Sequence, residues 1–449
     1  MAQRFFIETL GCPKNQVDSD KLAGKMAADG MTAADDMAQA DVVVVNTCAF
    51  IEEARQESID TVLAIADENP EAELVITGCM AERYGAELAE ALPEADQVAG
   101  FGVPVAIGAK PVSGGAKPVS GGAKPVSGGA KPAPPSFDLL NLPRPASERP
   151  WAYVKIAEGC DRACGFCAIP TFRGPQRSRT IASIIDEVDQ LQAKEVVLVA
   201  QDLASYGRDQ GQGTKDLVKL VEQVAKHTEW VRLLYLYPSE LNDALIDAIC
   251  ATEVPYFDLS LQHVSAPLMR RMRRWGDGRR FLERIDAIRT REQTAAFRSN
   301  FIVGYPGETE HDHDQLIEFV EAAELDWCGF FAYSPEDGTY AADLDAPVDT
   351  HLMHERLAEL RELQDAITAK KRDEMIGQTV RVLVDEPGIA RSTREAPEID
   401  GIVAVPVDLP VGEFSTVTIG GALGPDLMAE GVSGEEITDP AATAEGAHA

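Results

Sequence analysis

The chain has 449 residues, with 41 Lys and Arg against 74 Asp and Glu and a formal net charge of -33. At ~100 to 200 residues per domain that length predicts about three domains, and a hydrophobic content of 45% excludes a disordered chain. No apolar run reaches the ~20 residues of a membrane helix, and the start, Met1-Ala-Gln-Arg-Phe-Phe-Ile, lacks the basic, apolar and cleavage regions of a leader. A soluble, cytoplasmic protein without a membrane partner is expected; its charge repels a phosphate backbone and attracts a basic partner, and solubility in a salt-rich or acidic proteome is the alternative source of that charge.

In chain order, residues 1–103 alternate apolar strand-like runs at 4–10, 41–46 and 73–77 with helical stretches such as 18–29 and 51–67. That order predicts a small parallel sheet covered by helices. Residues 104–147 are low in complexity: Gly-Ala-Lys-Pro-Val-Ser-Gly occurs three times from Gly108 to Gly128, and a fourth copy starts at Gly129. The helix-breaking Pro and the paired Gly predict an extended, mobile tether. In residues 148–375, candidate strands at 152–157, 195–200, 231–237, 256–261, 297–303 and 328–333 are separated by amphipathic helices. They predict a partial (βα)6 barrel of the TIM type, with its chemistry at the C-terminal strand ends. From Gln378, short runs at 379–384, 399–405 and 413–418 lie between Pro and Gly, which predicts a small all-β barrel over 376–440 and a disordered tail at 441–449.

Six of the eight cysteines form two sets. Cys160, Cys164 and Cys167 make a C-x3-C-x2-C run within Glu158-Gly-Cys-Asp-Arg-Ala-Cys-Gly-Phe-Cys, and short fixed spacing in a cytosolic chain points to metal rather than disulfides. Zinc normally takes a fourth protein ligand, and none lies close by in sequence. Three thiolates on a 4Fe–4S cluster instead leave one iron open for a substrate or cofactor. Zinc, or a purely structural use, is the alternative. Cys12, Cys48 and Cys79 each follow a predicted strand of the N-terminal sheet. Parallel strands end on one edge, so these three could converge and hold a second cluster; three unrelated buried cysteines are the alternative. Cys250 and Cys328 read as core residues, and His311 and His313, at a polar helix start, are expected to face water.

With Phe166 before its last Cys, the C-x3-C-x2-C loop resembles that of the radical S-adenosylmethionine enzymes. Together with the upstream cysteines and the downstream β domain, it makes the chain similar to the methylthiotransferases, built from a cluster domain, a radical barrel and a TRAM domain. Thr9-Leu-Gly-Cys-Pro-Lys-Asn-Gln-Val-Asp-Ser19, Lys155-Ile-Ala-Glu-Gly-Cys-Asp-Arg162, Cys167-Ala-Ile-Pro170, Gln262-His263 and Ser334-Pro-Glu-Asp-Gly-Thr339 look like the RimO branch. That branch modifies an aspartate of small-subunit ribosomal protein S-twelve. The tRNA branch usually carries Gln-Met where this chain has Pro13-Lys14.

The resemblance implies two 4Fe–4S clusters and S-adenosylmethionine. The cluster on Cys160, Cys164 and Cys167 would bind S-adenosylmethionine and, given one electron, yield a 5′-deoxyadenosyl radical that takes hydrogen from the aspartate β-carbon. The cluster on Cys12, Cys48 and Cys79 would supply sulfur, methylated by a second S-adenosylmethionine. So weakly acidic a carbon is beyond any side-chain base, so the cofactor carries that step and no catalytic residue is expected beyond the clusters. Implied cofactor contacts are Phe166 to the adenine, Gln201 and Asp202 to the methionine end, and Gln262, His263, Gly304 and Pro306 from the ends of the fourth and fifth barrel strands; loop packing is the alternative for each. Arg173, Arg177 and Arg179 could orient a carboxylate or pair with surface acids. An electron donor such as flavodoxin or ferredoxin, and a monomer, are expected. Residues 376–449 hold 3 basic and 13 acidic side chains, which suits a basic protein substrate, and direct nucleic-acid binding is not expected. A tRNA adenosine methylthiotransferase and a non-catalytic iron–sulfur factor that docks on ribosomes are the other readings.

Overall fold

The computed structural model describes residues 2–101, 103, 138–211 and 214–432; the repeats of the expected tether and the expected tail lie outside the described residues. The N-terminal sheet is parallel throughout. Its strands are β1 (Arg4–Thr9), β2 (Thr32–Ala33), β3 (Val42–Thr47), β4 (Glu73–Gly78) and β5 (Gln97–Val98), in the order β2-β1-β3-β4-β5. Four consecutive valines put β3 at the centre, where both faces are covered and every residue is buried, as β-branched runs in parallel sheets require. The two-residue strands β2 and β5 are too short to leave a periodic signal.

The second unit is the expected barrel. After β6 (Trp151–Lys155), a small antiparallel pair, β7 (Ala157–Glu158) and β8 (Arg177–Ser178), frames the Cys160 loop. Then come β9 (Glu195–Val199), β10 (Trp230–Leu233), β11 (Tyr256–Gln262), β12 (Ala296–Val303) and β13 (Trp327–Ala332). β6-β9-β10 and β11-β12-β13 are parallel sheets, and a parallel bridge between Leu236 and Leu259 joins them. Six strands thus follow in chain order around a core that includes Val154, Leu198, Leu236, Leu259 and Phe301.

The third unit is a closed barrel of β14 (Thr379–Glu386), β15 (Ile389–Arg391), β16 (Val403–Ala404), β17 (Phe414–Leu423) and β18 (Asp426–Ala429). The run expected at 399–405 is a strand only at Val403–Ala404. Its earlier residues bind the central barrel instead: Arg298 donates to Ile399 O at 3.0 Å, and Asp400 accepts from Arg298 and from the Tyr256 hydroxyl, both at 2.6 Å. β17 runs five residues beyond its expected end. Its register shifts near Gly420-Gly421, and such a bulge bends the strand so that the barrel can close.

Buried ion pairs tie the three units together. Lys21 meets Glu187 at 3.2 Å and Arg144 meets Asp20 at 2.7 Å, while Glu195 lies between Arg232 at 2.7 Å and Arg391 at 2.6 Å. His313, expected to face water, is only 1% exposed, with Nε2 2.9 Å from Glu359. Thr309 and Asp312 form a capping box at the start of its helix, and the helix Glu310–Ala323 packs on Thr350–Asp373, which turns His313 inward. Cys250 and Cys328 are half-buried and pack against the core's edge. His311 is exposed, as expected.

Candidate active site

The cysteines at the ends of β1, β3 and β4 are brought together through glycine. Gly11 has φ +91°, and a Cβ there would lie 2.8 Å from Cys48 Cβ and 2.9 Å from Cys48 Sγ. Gly78 has φ +93°, and a Cβ there would be 2.4 Å from Asn46 Oδ1 and 2.5 Å from Thr47 O. Only glycine permits this backbone and this approach. Asn15 stitches the loops, its Nδ2 donating to Leu10 O at 2.9 Å and to Thr47 O at 3.2 Å. Cys12 caps the helix Pro13–Ala28 and Cys79 opens the helix Cys79–Ala91, positions where the helix dipole favours a thiolate.

Burial pushes the Cys48 thiol up to about 12, and the neighbouring Cys12 and Cys79 add to it. Cys79 is also raised by burial, against the pull of Arg173. Burial acts on Cys12 too, but Lys14, Arg173 and the backbone N–H groups of Asn15 and Lys14 outweigh it and hold that thiol below its ordinary value. Arg173 reaches in from the barrel. It donates to Cys79 Sγ at 3.0 Å, Asn15 Oδ1 at 2.8 Å, Asp18 at 3.0 Å and Glu158 at 3.2 Å, with its guanidinium 3.9 Å from the Phe101 ring centre.

The second triad lies just past β7. Gly159, at φ +80°, has Pro175 O 2.3 Å from where a Cβ would sit, so the loop folds tightly back on itself. Cys160 N donates to Gly174 O at 3.0 Å and Gly165 N to Met272 O at 2.8 Å. Arg274 donates to Cys164 Sγ at 3.2 Å and the Arg162 amide to Cys160 Sγ at 3.4 Å. Burial pushes both Cys160 and Cys167 up to about 12. Among the described residues no three His, Cys, Asp or Glu side chains close on a point as ligands of one ion do. Neither set is therefore drawn in around a single metal ion, and three thiols per set fit a 4Fe–4S cluster with one open iron better than zinc, whose structural sites take four protein ligands.

A cavity of about 340 Å³ opens at the C-terminal ends of β6, β9 and β10, with Cys164, Arg162, Asp202, Ser205, Tyr237 and Arg273 on its wall. Arg162 donates to Asp202 at 2.5 Å and to Ser205 at 2.9 Å, and stacks 3.9 Å from the Tyr237 ring centre. Of the cofactor contacts expected from the resemblance, only Asp202 reaches this wall. Gln201 braces the Cys160 loop: its Oε1 accepts from Gly159 N at 3.1 Å and its Nε2 donates to Glu158 at 2.8 Å. Phe166 is half-buried against the barrel core. Gln262 sits at an irregularity of β11 with φ +73°.

His263 is fully buried. Its Nδ1 accepts from Ser265 N at 3.1 Å and its Nε2 has no partner; burial pushes its pKa down to about 4, so the ring is neutral at pH 7. Gly304 donates its N–H to Glu308 at 2.7 Å, and the Pro306 carbonyl accepts from Arg271 at 2.8 Å. Arg177 forks onto Asp138 at 3.1 Å and Arg179 meets Glu187 at 2.5 Å, so both pair with acids. Sequence reasoning missed Arg162, Tyr237 and Arg274. Arg274 ends a basic run, Arg270-Arg-Met-Arg-Arg274, and spacing alone does not say which of the four meets a sulfur.

A family model of the radical SAM superfamily matches residues 154–320, one of the uncharacterized protein family UPF0004 matches 4–100, and one of the TRAM domain matches 376–432. The ribosomal protein uS12 methylthiotransferase RimO of Cutibacterium acnes is 42% identical over 94% of this chain and 96% of its own length. That of Kineococcus radiotolerans is 42% identical with the same coverage, and that of Aquifex aeolicus is 40% identical over 92% of this chain and 94% of its own length. The solved structure of the radical S-adenosylmethionine methyltransferase TsrM from Kitasatospora setae superposes with a TM-score of 0.50 at 14% identity, covering 91% of this chain and 83% of that one, a likeness of fold alone. With relatives this similar along nearly its whole length, the chain belongs to the RimO family of radical S-adenosylmethionine methylthiotransferases.

Proposed function

We propose that this chain adds a methylthio group to the β-carbon of an aspartate of ribosomal protein uS12, using S-adenosylmethionine and two 4Fe–4S clusters, in the cytoplasm. The observation that favours a protein over tRNA is the C-terminal module. Its three basic residues, Arg381, Arg391 and Arg394, pair with Glu253, with Glu195 and Asp385, and with Asp326. The described part of the module therefore keeps no unpaired cation for a phosphate backbone. The relatives named above, which act on uS12, support the same choice.

When bound, the clusters and S-adenosylmethionine supply the homolytic chemistry and the sulfur that no side chain can. The chain's own residues hold and shield them. Cys160, Cys164 and Cys167 would hold one cluster, with Arg274 donating to Cys164 Sγ and Gln201 fixing the Gly159 amide beside it. Asp202, held by Arg162, keeps its Oδ1 without a hydrogen bond on the cavity wall, which suits the ammonium of a methionine end. Cys12, Cys48 and Cys79 would hold the other cluster, with Arg173 donating to Cys79 Sγ. The working unit comprises a cluster domain at 1–103, a linker at 104–147, a radical barrel at 148–375 and a TRAM-like module at 376–440. It works as a monomer with a flavodoxin or ferredoxin as electron donor.

The test is mass spectrometry of uS12 after incubation with reduced, reconstituted enzyme and S-adenosylmethionine. A methylthio increment on one aspartate is expected. An increment on tRNA adenosine instead, or no 5′-deoxyadenosine formed with any substrate, would refute the proposal.

A further inference from the structure

We infer that Lys14 receives the carboxylate of the substrate aspartate and so places its β-carbon between the two cysteine triads. This deepens the function proposed above and rests on it. Every Lys and Arg that the described structure fully buries is paired with a carboxylate, as in Lys21 with Glu187, Lys155 with Asp18 and Arg356 with Glu308. Lys14 is different. It is half-buried, and the charged or titratable groups that face it are Cys12, Tyr235, Arg173 and Asp258; the Asp258 carboxylate accepts from Tyr235 N at 2.8 Å, and among the described residues no carboxylate comes within ion-pair distance of the Lys14 ammonium. Its ammonium lies 3.5 Å from the centre of the Tyr235 ring. Three N–H donors are not satisfied by one tyrosine, so a half-buried ammonium with no carboxylate at hydrogen-bond distance keeps the capacity to take one.

Its position suits a reacting substrate. Lys14 is two residues from Cys12, and Tyr235 is two residues from Tyr237, which lines the cavity with Cys164. Two residues of chain span at most about 7 Å, so the contact between Lys14 and Tyr235 joins the segment that carries Cys12 to the segment that carries the cavity wall. A cation at that junction is placed to serve a substrate that both segments must reach, and in an aspartate the carboxylate is bonded directly to the β-carbon. The neighbouring cations are already engaged: Arg173 by Asp18 and Glu158, Arg162 by Asp202 and Glu240, and Arg274 by Cys164 Sγ and the Ser260 carbonyl. Arg273 also has no carboxylate partner in the described structure, but it is exposed, stacked 3.6 Å from the Tyr340 ring centre, where water screens its charge.

The experiment measures binding of fluorescently labelled uS12, and of uS12 with the modified aspartate changed to asparagine, to iron-loaded enzyme. The wild type is expected to prefer the aspartate form about tenfold or more, the size of one charge-assisted hydrogen bond. Lys14→Gln should abolish that preference and Lys14→Arg should keep most of it. Preference that persists in Lys14→Gln, equal weakening of both forms, or loss of preference in Arg273→Gln instead, overturns the assignment. If Lys14→Gln cannot be loaded with iron, binding is compared between the iron-free wild type and iron-free Lys14→Gln, and a preference that both share overturns the assignment. Absence of any methylthio increment on uS12 with the wild type is a separate outcome, which refutes the function proposed above.

Discussion

Replacing Arg173 by methionine removes at once the hydrogen bonds from its guanidinium to Cys79 Sγ, Asn15, Asp18 and Glu158, and its stacking on Phe101. The residue is 8% exposed, so water does not replace those partners. Breaking a buried ion pair by removing one member costs about 3 to 5 kcal/mol. The lower end applies here, because Lys155 still neutralises Asp18 and Glu158. The predicted loss is therefore about 3 kcal/mol, read as a fall in the urea midpoint of the iron-free chain by tryptophan fluorescence. Adding Asp18→Asn removes the surplus negative charge and should recover roughly 1 kcal/mol, within the range of coupling between touching residues. A second readout isolates the sulfur contact. In a background with Cys160, Cys164 and Cys167 changed to alanine, R173M should shift the remaining cluster to a more negative potential, since N–H donors to the sulfurs raise it. An R173M protein within about 0.5 kcal/mol of the wild type, with an unshifted potential, would refute the reasoning.

Three further outcomes are expected. His263 has a folded pKa of about 4 against 6.5, so its contribution is complete above pH 6.5 and is lost as pH falls toward 4, about 3 kcal/mol in all; an imidazole signal titrating near 6.5 by NMR would contradict this. Gly78→Ala forces a side chain into a backbone region nearly closed to anything but glycine and against Asn46 and Thr47. It should lower iron per chain while Cys160, Cys164 and Cys167 keep their share, and full loading would count against the predicted crowding. Arg391→Met leaves Asp385 without its partner and Glu195 with Arg232 alone, a loss of about 3 kcal/mol; it should speed proteolysis at the start of the C-terminal module, and unchanged cleavage would show that the pairing does not hold that module in place.

Much of the fold was legible because its signals are local. Alternating strand and helix patterns place β1, β3 and β4 and all six barrel strands to within a few residues, since apolar periodicity is a property of consecutive side chains. β2, β5, β15 and β18 are two to four residues long, too short for a period, and they exist because neighbouring strands complete their hydrogen bonds. His313 was misread for the same reason, as the helix that covers it starts almost forty residues later in the chain.

The candidate site divides along the same line. The six cysteines could be picked out from sequence because one set has tight spacing and the other follows successive strands, and a parallel sheet brings its strand ends to one edge. The charge of -33 and the 3 basic residues of the C-terminal stretch are likewise properties of composition alone, and they disfavour a phosphate backbone as partner. Only the tertiary structure decided which cations meet which sulfurs and which are left without a carboxylate. Arg173 and Cys79 are 94 positions apart, and Lys155 and Asp18 are 137. Such partners are selected by the packing of separate units, where a buried charge must find its opposite at hydrogen-bond distance, and no local pattern in the chain records that choice.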